Sequence, residues 1–299
     1  FAVLSSQLED VGIVKSTLAI SVPIALIMVA SLLVSLFIFA LGSTGEREMI
    51  FFERLFWIPG HIQQVLNGVL LIAVWYALKG AIGLKCRGFR YMGFFNWMLF
   101  TSALILFAIP FVFDPIARDA KVISEIIYAV GLGVPIFAHG VNILKGLKRN
   151  GNKVQFISLI LSMAIYFFGI AIAYSGFGND LRVPAHYHGA VTGLTLAMMG
   201  LSHHYLAGVK IKGFVKRLGE LQPAVYGIGM ILVISGLMVS GIFGAPRKTY
   251  GVSFATEPAV LIALTVMGIG TLLAVAGGVL FVLYSSVSLI KGERNDVRY

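Results

Sequence analysis

Charge is scarce in this sequence. Of 299 residues only 12% are Asp, Glu, Lys or Arg, while 58% are hydrophobic. A typical soluble domain is about 25% charged. So little polar surface cannot cover a water-soluble globule, and lipid must be most of the solvent. Cysteine is nearly absent too. The single Cys86 excludes an intrachain disulfide framework and any zinc or iron–sulfur site built on cysteines. Acidic residues are few, 13 against 23 basic, leaving a net charge of +10. Such an excess can mark a nucleic-acid partner, so the placement of the charges has to decide.

Long apolar runs are what the chain does have. Each spanning helix needs about 20 mainly apolar residues. Eight segments qualify: 15–42, 51–78, 92–113, 122–144, 154–175, 185–209, 222–243 and 258–290. A membrane barrel needs short alternating strands, and runs such as IALIMVASLLVSLFIFALG do not alternate. The expected fold is an all-α polytopic bundle, a single transmembrane domain over residues 1–299. The N-terminal segment lacks a cleavage site and reads as a span rather than a signal peptide. A start at Phe1 rather than Met points to residues upstream that are missing or processed.

With both termini in the cytoplasm, the charges sort by side. The inner side takes Lys15, the groups 79–90, 145–153 and 210–217, and the tail, for sixteen basic residues. The outer loops keep seven: Arg47, Arg54, Arg118, Lys121, Arg182, Arg247 and Lys248. That bias follows the positive-inside rule. The basic excess is therefore orientation, and no nucleic-acid partner is implied.

Histidines at membrane depth are candidates for function. There are six: His61, His139, His186, His188, His203 and His204. His61, about ten residues into the second span, shares the outer third of the bilayer with His186 and His188, which open the sixth. His203 lies some 22 Å deeper at 1.5 Å per residue. At 100° per residue His186 and His188 project about 200° apart, so they cannot chelate one metal but can each ligate a different one across the helix. Imidazole is an axial heme ligand, and Gly189, Ala190 and Gly193 would leave room for a flat macrocycle. The plainer alternative is a pair of interfacial histidines. Arg247 and Lys248, on the same membrane side, suit carboxylate arms of a heme or ordinary interfacial anchoring.

These stretches together resemble the catalytic subunit of the heme–copper oxidase superfamily, which includes terminal oxidases and nitric oxide reductases. WIPGHIQQ (57–64) is similar to the helix whose Gly-His donates the first copper ligand. AHYHGAVTGLTLAMMG (185–200) is similar to the His-x-His helix, and GAPRKTYG (244–251) to the propionate clamp. The resemblance implies two hemes, with His186 on the high-spin active-site heme and His188 on the low-spin relay heme. Arg247 and Lys248 would hold propionates, and His61 would face the active-site heme with a second metal. The eight spans would match the last eight of the family's twelve. The implied setting is a respiratory chain in a prokaryotic inner membrane, with electrons from a cytochrome or quinol and dioxygen or nitric oxide as substrate.

Three departures accompany the resemblance. The third span ends in AIPFVFDPIARD (108–119) with no histidine pair, so a second metal would have only His61 and Asp114, a poor copper set. Val65 stands where the oxidase tyrosine is expected, beside Gln63 and Gln64. The four leading helices and the second low-spin ligand are absent, so a further membrane subunit would supply them. One alternative is a non-catalytic cytochrome b subunit; another is a cofactor-free proton-coupled transporter. His139 reads as a helix–helix hydrogen bond, and His203, His204 and Tyr205 as inner-interface groups. Glu125 reads as a proton relay or an interfacial carboxylate. Asp180 and Arg182 pair with each other or bear on propionates. Glu46, Arg47, Glu48, Glu53 and Arg54 read as a solvated outer loop.

Overall fold

The computed structural model describes residues 11–40, 48–85, 89–148, 152–176, 180–206, 213–248 and 257–291. Cys86, Glu46, Arg47, Lys210, Lys212 and residues 249–251 of the third motif lie outside them. The α-helices are α1 (Val11–Ser35), α2 (Glu48–Ala81), α3 (Phe89–Ala108), α4 (Arg118–Ile127), α5 (Val134–Leu144), α6 (Lys153–Ala173), α7 (Arg182–Leu206), α8 (Phe214–Ile242) and α9 (Pro258–Lys291). A π-helical segment, Tyr128–Gly133, joins α4 to α5, so that Arg118–Leu144 reads as one span. Among the described residues there is no strand, only an isolated bridge between Asp180 and Pro246.

Seven helical stretches are long and apolar enough to cross a membrane. They correspond to seven of the eight expected spans, and the chain is a multi-pass integral membrane protein. The exception is α7. Its 25 residues are long enough at 1.5 Å each, but four histidines, Arg182 and three glycines dilute its apolar run. Packing takes over from hydropathy there: Val183, Ala185, Leu196, Ala197 and Leu201 are buried on one side of the helix.

The chain divides into two compact units. The first holds α1 to α5. Asn96 of α3 donates to Ser16 Oγ at 3.4 Å and Thr17 Oγ1 at 3.3 Å on α1, a polar clasp of the kind that joins helices where lipid supplies no hydrophobic drive. Gly131 lets the π-segment press on α3, since a Cβ there would lie 1.8 Å from Ser102 Oγ.

The second unit holds α6 to α9 around a core of Ile165, Ile172, Ala185, Leu196, Val233, Ile234 and Leu237. One of its close crossings is glycine on glycine. A Cβ on Gly169 of α6 would sit 2.7 Å from the Gly189 Cα of α7. Further along, a Cβ on Gly193 would meet Tyr166 Cβ at 2.7 Å. The room expected beside Gly189 and Gly193 for a macrocycle is therefore filled by α6. Small residues in a membrane bundle permit either a cofactor or a close helix, and here the helix occupies the seam.

Candidate functional site

In the first unit, His61 sits one turn past Trp57 on α2. Its Nδ1 meets the Trp57 carbonyl oxygen. A carbonyl only accepts, so Nδ1 carries the proton and the neutral ring keeps its lone pair on Nε2. The imidazole stacks on Tyr128, ring centroids 4.8 Å apart and 22° from parallel, and contacts the Trp57 ring at 4.5 Å. Tyr128 opens the π-segment, a distortion that recurs at functional sites. Its side chain fills the space beside His61 that sequence spacing leaves to Val65, which is fully buried. The pairing was invisible in the sequence because 67 positions separate the two residues.

Asp114 does not join His61. Its two carboxylate oxygens take Arg54 Nε at 3.1 Å and Arg54 Nη2 at 2.9 Å, a bidentate ion pair. Burial pushes the Asp114 carboxyl up. The hydrogen bonds from Arg54 and the Ile116 amide, with the charges of Arg54 and Lys121, outweigh it and hold the group below its ordinary value. Lys121 pairs with Glu53 at 3.0 Å and lies over the Trp57 ring at 4.7 Å. Glu53 and Arg54 thus belong to a helix and tie its start to α4 and the turn before it, where a solvated loop was expected. Among the described residues, no three or more His, Cys, Asp or Glu side chains gather as a metal-binding group. The residues present do not fit a second metal held by His61 and Asp114.

The second unit carries the His-x-His helix. His186 Nδ1 donates to the Gly169 carbonyl oxygen at 2.9 Å. The bond exists because Gly169 and Gly189 let α6 and α7 touch backbones. It again puts the proton on Nδ1 and the lone pair on Nε2, the arrangement found in metal-bound histidines whose other N–H is tied to a carbonyl. His188 is exposed, and no hydrogen bond reaches it among the described residues. The donor chemistry of both rings suits axial ligation of a heme. With the glycine seam closed, a macrocycle on His186 has to approach from outside the α6–α7 contact.

The turn that carries Arg247 and Lys248 is brought to the start of α7 by its backbone. Asp180 bridges Pro246, and Leu181 N–H donates to the Ala245 carbonyl at 3.1 Å. Asp180 also accepts from Arg182 Nε at 3.0 Å, Nη2 at 2.7 Å and the Arg182 amide at 2.9 Å, closing the first turn. Of the two readings for this pair, mutual pairing is the one present. Arg247 is half-buried, while Lys248 is exposed and takes a φ of 57°, the left-handed region. The turn therefore presents two adjacent cations less than two helical turns from His186 along the chain's paired backbones.

Two further histidines make buried hydrogen bonds. His203, expected at the inner interface, is 3% exposed and shares a 3.1 Å hydrogen bond with the fully buried Gln222 of α8, its ring tilted 34° against that of Tyr284 of α9 at 4.5 Å. His139 makes the helix–helix hydrogen bond expected of it, to Tyr76 of α2 at 2.9 Å. Gln222 and Tyr76 gave no signal in the sequence, because Tyr76 sits within an ordinary apolar run and Gln222 follows a charged stretch at the start of a span.

No family model matches the chain. It is similar to an uncharacterized protein of Aquifex aeolicus (strain VF5), 29% identical over 179 residues that cover 60% of this chain and 44% of that protein. It is also similar to an uncharacterized protein of Rickettsia prowazekii (strain Madrid E), 27% identical over an alignment of 277 positions, covering 78% and 54% of the two. The chain spans about half the length of these curated relatives.

Proposed function

We propose that this chain is a heme-bearing core of a membrane respiratory oxidoreductase of the heme–copper oxidase type, reducing dioxygen or nitric oxide. The observation that carries the reading is the tautomer of His186. Its Nδ1–H is spent on the Gly169 carbonyl, so Nε2 is presented as a ligand nitrogen. His188, two residues on and without a hydrogen bond among the described residues, is the ligand proposed for the second heme. Bound heme supplies the redox chemistry; the protein supplies ligation, orientation and charge.

Each group of this chain then has a task. The Gly169 bond fixes the His186 ring and raises its basicity as a ligand. Arg247 and Lys248 are proposed to hold carboxylate arms, fixed by the Asp180–Pro246 bridge to the start of α7. His61 offers a bare Nε2 in the first unit and is proposed to bind substrate. The second low-spin ligand comes from polypeptide outside the described residues, and the electron donor is a cytochrome or quinol. The bacterial relatives agree with a prokaryotic inner membrane as its place.

One observation favours a second reading. Asp114 is committed to Arg54, and among the described residues no metal-binding group gathers near His61. A chain that keeps its hemes but lacks a second metal is an electron-transferring cytochrome b subunit. Pyridine hemochrome counting on the purified protein, followed by reduced spectra with and without carbon monoxide, separates the readings. Two hemes with one binding carbon monoxide support the oxidoreductase. Two hemes that both refuse it support the relay subunit. No heme overturns both and leaves the proton-coupled transporter.

A further inference from the structure

The first unit contains a second polar constellation that the heme reading does not use. Tyr76 and His139 are 0% exposed, Lys79 1% and Asn142 9%. They lie toward the end of α2 that carries Lys79 in its last turn, about 22 Å along that helix from His61. The Tyr76 hydroxyl and His139 Nδ1 are 2.9 Å apart, and Asn142 Nδ2 donates to the same hydroxyl at 3.0 Å. Lys79 Nζ donates to the Lys145 carbonyl at 2.9 Å and the Asn142 carbonyl at 3.4 Å, closing the end of α5. His139 Nε2 is buried with no hydrogen-bond partner among the described residues.

Burying polar groups is unfavourable unless they are paired. Apolar side chains of similar volume would pack α2 against α5 without that penalty. Here the pairing is directional. Asn142 donates to the phenol oxygen, which keeps its own proton to give, and His139 Nδ1 lies within reach to take it. With the phenol as donor, the imidazole N–H stands on Nε2, buried with no hydrogen-bond partner among the described residues. Such a group calls for an internal water. Lys79, three residues from Tyr76, lies on the same helix face.

We propose that Tyr76 and His139 form a proton relay whose next member is a water molecule at His139 Nε2. His139 passes its Nε2 proton to that water and takes the Tyr76 proton at Nδ1. Tyr76 is then reprotonated from the basic end of α2, which the charge bias assigns to the cytoplasm. Each step breaks one O–H or N–H bond and forms another, and no electron moves. The purpose of the relay rests on the proposed function, since reducing dioxygen or nitric oxide consumes protons. Its geometry stands without that reading.

Two measurements on the full protein in lipid vesicles test it. Solid-state NMR on 15N-histidine-labelled protein is expected to show magnetisation transfer from water to His139 Nε2, in wild type and in Tyr76→Phe. Reductant-driven proton uptake by the heme-loaded complex is expected to fall at least tenfold in Tyr76→Phe and His139→Asn, with heme content unchanged. Absence of water transfer at Nε2, or uptake at the wild-type rate in both variants, overturns the relay. Should His139→Asn fail to assemble, Tyr76→Phe and the NMR contact decide. If the purified protein holds no heme, the proposed function fails, and the water contact at Nε2 alone decides the relay.

Discussion

The carbonyl of Gly169 accepts a 2.9 Å hydrogen bond from His186 Nδ1, and the same Gly169 touches the backbone of Gly189. One glycine pair therefore sets both the distance between α6 and α7 and the tautomer of a candidate heme ligand. The helix contact and the chemistry of the ring cannot be varied separately.

Gly169→Ala tests that linkage. Its Cβ would lie 2.7 Å from a backbone atom, which no rotamer change can relieve. The helices must move apart, at a cost of about 1–3 kcal/mol for overpacking. Unfolding in a mixed-micelle denaturant series should show that loss. Any heme signal dependent on His186 should broaden or shift as the Nδ1 bond lengthens, whereas a loss of stability with the spectrum intact would separate the two roles.

His186→Ala and His188→Ala should each lower the hemochrome count by one heme per chain. The carbon monoxide-reactive spectrum should go with His186→Ala, and the low-spin spectrum with His188→Ala. Retention of both hemes in both variants would remove the ligand assignment.

The Arg54–Asp114 pair carries a pH signature. Asp114 has a folded value below its ordinary 3.8, so it binds protons less readily folded than unfolded. The pair's contribution is complete above the unfolded value and is lost as pH falls through the folded one. The difference in unfolding midpoint between wild type and Asp114→Asn should be constant near neutrality and shrink below about pH 4. Metal and heme content of Asp114→Asn should match wild type, because Arg54 and not a metal holds the carboxylate.

Gln222→Leu should destabilise the second unit by about 1–3 kcal/mol, since it strips the hydrogen bond from a buried His203. Adding His203→Phe should recover part of the loss, because two apolar partners leave no polar atom unpaired. A double-mutant cycle with additive losses would mean that the 3.1 Å contact contributes no coupling.

Composition alone was enough for the solvent and the secondary structure of this protein. A chain with 12% charge has no choice but lipid, and in lipid every backbone group must be satisfied within its own helix. Seven spans were legible for that reason, and α7 was found because its periodicity and length survive its histidines. The 100° step of a helix was likewise enough to set His186 and His188 on different faces. What the sequence could not supply was the partner across each contact. Gly189 is compatible with a macrocycle or a helix, and only the crossing with Gly169 decided for the helix. Asp114 is compatible with a metal or an arginine, and Arg54, sixty residues earlier in the chain, decided for the ion pair. Tyr128 and Tyr76 had no motif at all and became visible only on His61 and His139. Local periodicity determines which residues a helix has; non-local packing determines which of them meet, and the chemistry resides in the meetings.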